Sequence, residues 1–325
     1  MNTSMSLLLG RQRCGFSRLS HQKSVLSYFS STSSTDDLVL SSVDENAGIA
    51  MLTMNRPPAN SLSLEMNEAI CSSIKNIEAN PKIQSVILAS SNPKIFSAGL
   101  DISELVSPDK DRLPKFWSSL QQVYIDLYGS RLATVAAIQG HAPAAGCFLA
   151  MACDYRVMSA GDINSETKKN HVPTIGLNET RLGIAAPFWM GQLLVRTIGF
   201  RQAELALAMG TLFPPDQALA VGLVDDVVPR QPCESDNDGF LESVIKDQAS
   251  NPLMQKAYKQ AKIYAKIPPQ ARVASKLLTR DEHLQDMIAK REEDRTHFCG
   301  FVTQEAVQNN LAAYVEALKK KSRKK

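Results

Sequence analysis

Three short stretches of the chain place small or polar residues where a protein core would prefer bulk: "FSAGLD" (residues 96–101), "HAPAAGC" (141–147) and "GLNETRLGI" (176–184). In the first, Ala98 and Gly99 carry minimal side chains, so main-chain amides can approach a ligand closely, and the Leu100 N–H is the candidate donor. In the second, Pro143 stands where a first helical turn would begin. That makes the Ala145 N–H, an unpaired donor at the positive end of the helix, a second candidate. Two such amides on one carbonyl oxygen form an oxyanion hole, each donor typically worth about 10²–10³ in rate. The third stretch sets Glu179 in an apolar run. A low-polarity wall of Leu177, Leu182 and Ile184 would raise its pKa and make it a better base. The plainer alternatives stay open on the residues alone: an exposed Glu179 at a helix start after Asn178, and tight turns or a closely packed helix start for the other two stretches.

These groups need a scaffold, and the apolar pattern predicts an α/β one. Residues 48–54 form a short apolar run that ends at the turn "NRPPANS", and they read as a strand. Ser63 can cap a helix with Ile70, Ile74 and Ile77 on one face, stopped by Asn80-Pro81. A strand over 84–90, a helix marked by Phe116, Leu120, Val123 and Leu127, a strand over 134–140, a small-residue helix over 144–153 and a strand over 154–159 follow. The alternation predicts a parallel sheet with helices outside it. From Phe188 onward the pattern turns helical, with one brief strand in 222–228. Residues 229–239 are the best linker, and the last helix carries a stripe of Leu311, Tyr314, Val315 and Leu318 to bury against its own domain or a neighbouring subunit. The chain thus divides into a leader (1–35), an α/β core (36–229) and a helical region with a basic tail (230–325).

The 325 residues, 44% hydrophobic and 21% charged, are enough for one large domain or two smaller ones. No acid precedes Asp36, whereas Arg11, Arg13, Arg18 and Lys23 lie among serines, threonines and leucines, the pattern of an organelle-targeting presequence. Without those four, 32 cations face 33 anions and the formal charge moves from +3 to −1, so overall charge gives no reason to expect nucleic acid. Residues 319–325, "KKKSRKK", concentrate six cations and read as a solvated tail or as a site for an acidic partner. No apolar stretch reaches the length of a bilayer span. Six cysteines without CxxC spacing read as reduced thiols, and five scattered histidines give no metal motif. Dinucleotide, P-loop and serine-hydrolase signatures are absent from the sequence.

In "MNRPPANSLS", "IFSAGLDI", "PAAGC", "CDYRVM", "GLNETRLGIAAPFW" and "LFPPDQAL", taken in order, the chain resembles the enoyl-CoA hydratase/isomerase (crotonase) superfamily, and within it the mitochondrial Δ3-Δ2-enoyl-CoA isomerases. The resemblance spans roughly residues 38–320. It implies a spiral of repeated ββα units with a helical C-terminal region, a homotrimer in the mitochondrial matrix, and an acyl-CoA thioester as substrate with no separate cofactor. It further implies that the Leu100 and Ala145 amides hold the thioester oxygen, that Ala98, Gly99, Leu100, Asp101 and Ile102 line the coenzyme A site, and that Glu179 is the catalytic glutamate. In the related hydratases a second glutamate follows the oxyanion turn. Here Phe148 stands there, which favours isomerisation over hydration.

Two departures accompany the resemblance. Ala145 replaces a more usual glycine, a change that keeps the N–H. The connection 159–175 is longer and more polar than usual, as a surface loop, a lineage-specific insertion or a misread exon would make it. The alternatives to an isomerase are an enoyl-CoA hydratase, and a non-catalytic relative of the fold that binds acyl-CoA or, through its terminal cations, RNA. DNA is not expected as a partner.

Overall fold

In the computed structural model, which describes residues 30–31, 37–161, 172–229 and 251–322, three strands of the main sheet are buried at every position: β3 (Ile49–Met54), β4 (Ser85–Ser90) and β5 (Ala133–Ile138). That is the demand of a parallel sheet covered on both faces. With β1 (Ser30–Ser31), β2 (Val39–Asp44), β7 (Tyr155–Ser159) and β9 (Asp226–Val228) they form a seven-stranded sheet in the order β1-β2-β3-β4-β5-β7-β9. Strands β3 to β9 run parallel, while β2 pairs antiparallel with both β1 and β3. The pattern of "VLSSVD" in β2 did not mark it as a strand, and β1 lies inside the segment assigned to the leader.

Each face of the sheet has its own cover. Ala50, Leu52, Val86, Leu88 and Ala136 face the main core, built with α1 (Leu64–Glu78), α2 (Arg112–Tyr128) and α3 (Ala145–Ala152). The residues between them, Ile49, Met51, Ile87 and Val135, pack instead on Leu253, Met254, Ala257 and Ala261 of α7 (Pro252–Ala265). Helix α1 begins where Ser63 caps it, its hydroxyl accepting from the Met66 N–H, and buries Ile70, Ile74 and Ile77 as their spacing predicts.

The helical half consists of α4 (Phe188–Ile198), α5 (Phe200–Met209), α6 (Pro215–Ala220), then α7, α8 (Pro269–Val302) and α9 (Glu305–Ser322). Asp294 of α8 joins three helices. Its carboxylate accepts from Trp117 Nε1 and Gln121 Nε2 of α2, both at 2.7 Å, and from Trp189 Nε1 of α4 at 3.1 Å. In α9, Leu311 and Val307 are buried within the chain's own core, and Asn310 lies against Gly183. Most of the leader (1–29 and 32–35) with residue 36, residues 162–171 of the long connection, the linker from residue 230 and the last three residues lie outside the described residues. No helix among the described residues is long and apolar enough to cross a membrane.

Candidate active site

The loop of residues 95–101 is fixed by its neighbours before any ligand is considered. Phe96 N–H donates to the His141 carbonyl and His141 N–H to the Lys94 carbonyl, so the loop lies alongside the segment that leads into α3. On its other side Ala98 N–H donates to Ala59, and Asp101 N–H to Leu62. Buried Asn60 donates to Ser90 Oγ and to the Phe96 carbonyl, and the Ser97 hydroxyl returns a 2.8 Å bond to the Asn60 carbonyl. Asp101 is occupied structurally. It accepts from Arg56 Nη2 at 2.5 Å and from the main chain and hydroxyl of Ser103, capping the short 3₁₀ turn Ile102–Glu104. Burial works to raise the Asp101 pKa, but the Ser103 bonds and the Arg56 guanidinium outweigh it and hold the carboxyl below its usual range. Ala98, Leu100 and Ile102 are half-buried along this loop.

The approach of the two amide-bearing segments depends on Gly99, at φ +89°. A methyl group added there would lie 3.1 Å from Ala144 Cβ and 3.2 Å from Ala145 N. The absent side chain therefore lets the Leu100 amide and the Ala145 amide share one neighbourhood. Neither N–H donates to another group among the described residues. The route into α3 differs from the sequence expectation. Pro143 is the last residue of β6 (Ala142–Pro143), not a first helical residue, and Ala144 makes the turn at φ 50°, ψ −125° before the helix opens at Ala145. Positive φ is a strained state for alanine. The Ala144 N–H donates to the Gly176 carbonyl and the Ala144 carbonyl accepts from Phe148 N–H, and these two bonds grip the turn from both sides.

That grip also brings in the third segment. Strand β6 pairs in parallel with β8 (Ile175–Gly176), Ala142 opposite Ile175 and Pro143 opposite Gly176, three residues before Glu179. Glu179 opens a 3₁₀ turn, Glu179–Leu182, and is 8% exposed, so the exposed helix-start alternative fails. Among the described residues its Oε2 has no hydrogen-bond partner, and burial pushes its pKa up to about 7 against a partly compensating bond from its own main chain. The negative charge of Glu179 also helps raise the pKa of the fully buried Cys147 thiol on α3, after burial itself, an electrostatic coupling between the two segments.

Glu179 lies on the wall of a cavity of about 410 Å³. Leu177 lines it as expected, but Leu182 and Ile184 do not; the other apolar walls come from Ala186, Val195 and Leu207. The helices that supply most of this low-polarity surface were legible as helices but not as walls. "IAAPFW" was the available signal. Phe148 is fully buried and packs on Tyr124 and Trp189, with ring centroids 5.5 and 4.9 Å away. A larger polar groove of about 620 Å³ between α1 and α2 contains none of the candidate residues. Among the described residues no group of three His, Cys, Asp or Glu side chains could hold a metal ion.

Residues 44–248 match the family model described as enoyl-CoA hydratase/isomerase. The chain is 38% identical over 283 residues to the rat protein named "Enoyl-CoA delta isomerase 1, mitochondrial", covering 87% of this chain and 88% of that one. The human protein of the same name is 37% identical over 281 residues, covering 86% and 83%. Among solved structures, the crystal structure of human mitochondrial delta3-delta2-enoyl-CoA isomerase superposes with a TM-score of 0.76 at 35% identity, covering 88% of this chain and 99% of that one.

Proposed function

The chain belongs to the enoyl-CoA hydratase/isomerase family, and from that premise we propose that it is a Δ3-Δ2-enoyl-CoA isomerase of fatty-acid β-oxidation in which Glu179 is the single proton shuttle. The reaction moves a double bond from C3–C4 of the acyl thioester into conjugation at C2–C3. Loss of the C2 proton sends negative charge onto the thioester oxygen, and the Leu100 and Ala145 amides are the donors that stabilise it. Glu179 takes that proton as general base and returns it at C4 as general acid, ending as the carboxylate with which it began.

The observation that carries this reading is the buried Glu179 carboxylate, with one oxygen unpartnered and its pKa raised to about 7. Such a group both accepts and releases a proton near neutral pH, whereas a solvated carboxylate is too weak a base. Hydration needs a second group to handle water. Glu179 is the sole acid lining the cavity among the described residues, and Phe148 cannot serve. Residues 98–102 are the proposed coenzyme A-binding loop, whose shape Asp101 helps hold through its bond with Arg56. No cofactor beyond the substrate's own coenzyme A is invoked.

We further propose a presequence within residues 1–35, delivery to the mitochondrial matrix and assembly as a homotrimer. The Arg-rich, acid-free leader and the mitochondrial relatives support the location. The test of the reaction is to mix the protein with trans-3-hexenoyl-CoA and separate the products. Conjugated trans-2-hexenoyl-CoA is expected to form first and fastest. A parallel assay on trans-2-hexenoyl-CoA separates the alternatives: 3-hydroxyhexanoyl-CoA formed from it with no shift of the 3-enoyl substrate would favour the hydratase, and no turnover of either substrate would favour a binding protein.

A further inference from the structure

The cavity beside Glu179 is a trough between α4 and α5, and its position bears on the one part of the substrate the reaction does not define. If the thioester oxygen rests on the Leu100 and Ala145 amides, one carboxylate must reach both C2 and C4. The chain beyond C4 then leaves Glu179 away from those amides. The trough begins at Glu179, and neither Leu100 nor Ala145 lines it. It has no charged side chain besides Glu179 to hold phosphate. Of its polar groups, the Thr180 hydroxyl is spent on the Leu207 carbonyl at 3.1 Å, and Gln192 is exposed at the rim. Its volume of about 410 Å³ lies within the range of small-molecule sites. The chemistry that fits is a straight hydrocarbon tail.

One residue in this trough has no packing reason to be what it is. Gly191 lies inside α4, where glycine weakens a helix relative to alanine. A methyl group there would meet only Leu207 Cδ1, at the ordinary contact distance of 3.6 Å. The glycine instead keeps open the passage between α4 and α5. We propose that Gly191 and Leu207 determine acyl-tail length, admitting tails that run well past C6 along the trough. This deepens, and rests on, the isomerase reading above.

The test compares two opposed variants with the wild type. Gly191→Leu narrows the passage and Leu207→Ala widens it. For each, kcat/KM is measured on trans-3-hexenoyl-CoA and trans-3-dodecenoyl-CoA, and the Kd is measured for the saturated hexanoyl- and dodecanoyl-CoA. The long-to-short ratio is expected to fall at least tenfold in Gly191→Leu, a loss that two unburied methylenes would produce, and to rise in Leu207→Ala. Misfolding lowers both substrates together and leaves the ratio unmoved, so the ratio reports the trough. Ratios within threefold of wild type in both variants, each shown to be folded by circular dichroism and cooperative unfolding, or shifted in the same direction in both, overturn the proposal. A wild type that turns over neither substrate sinks the isomerase reading, while the Kd ratios still decide whether the trough holds the tail.

Discussion

Burying a carboxylate with one oxygen unpartnered is destabilising, and at Glu179 the sign of that effect is measurable. Its pKa of about 7 in the folded protein lies above the roughly 4.3 of a free glutamate. Between those values the native state binds more protons than the unfolded chain, so stability falls as pH rises through this window. At about 1.36 kcal/mol per pKa unit, the full penalty above pH 7 is roughly 4 kcal/mol. Glu179→Gln removes the charge. Denaturant unfolding should find the variant close to wild type near pH 4 and more stable by up to roughly 4 kcal/mol at pH 8. A stability difference that does not change with pH would contradict the burial of an ionisable group there. The sequence marked Glu179 because it is the lone acid in an apolar stretch. The cavity wall beside it does not show locally, since Val195 and Leu207 come from helices that follow it in the chain and Ala186 from the connection before them.

At the scale of elements, catalysis depends on short connections too small to show a period. Strands β6 and β8 are two residues each, and no hydrophobic alternation can announce a strand of that length. Nor does alanine advertise positive φ, so the turn at Ala144 was read as a helix start at Pro143. Gly99 was legible, because a glycine beside a strand end signals close main-chain approach. Gly99→Ala should therefore separate the loop from α3, its new methyl crowding Ala144 Cβ and Ala145 N at an unfavourable φ. Losing the alignment of one amide predicts a drop in kcat of about 10²-fold, with a stability loss of roughly 1–2 kcal/mol. Steady-state kinetics on 3-hexenoyl-CoA separates the two effects. A variant that folds and keeps its kcat would mean that the two amides do not act as a pair.

Across the whole molecule, the sheet was the most legible part and its covers the least. Strands β3, β4 and β5 are buried on both faces and so read as continuous apolar runs. Strand β2, flanked on its outer side only by the two-residue β1, mixes serine and aspartate with its apolar residues and shows no strand pattern. That α7 closes the second face, and that Asp294 ties Trp117 to Trp189, depends on contacts between distant parts of the chain that local pattern cannot encode. The fold brings residues near 99, 145 and 179 into one small volume, and the account requires them to act on one thioester. The most direct test is turnover of trans-3-hexenoyl-CoA by purified Glu179→Gln beside wild type across pH 5.5 to 9. Wild-type kcat/KM should rise with pH through a single ionisation near 7, and the variant should lie at least about 10²-fold below it at pH 8 while remaining folded. A folded Glu179→Gln protein within tenfold of wild type would contradict the account at its centre.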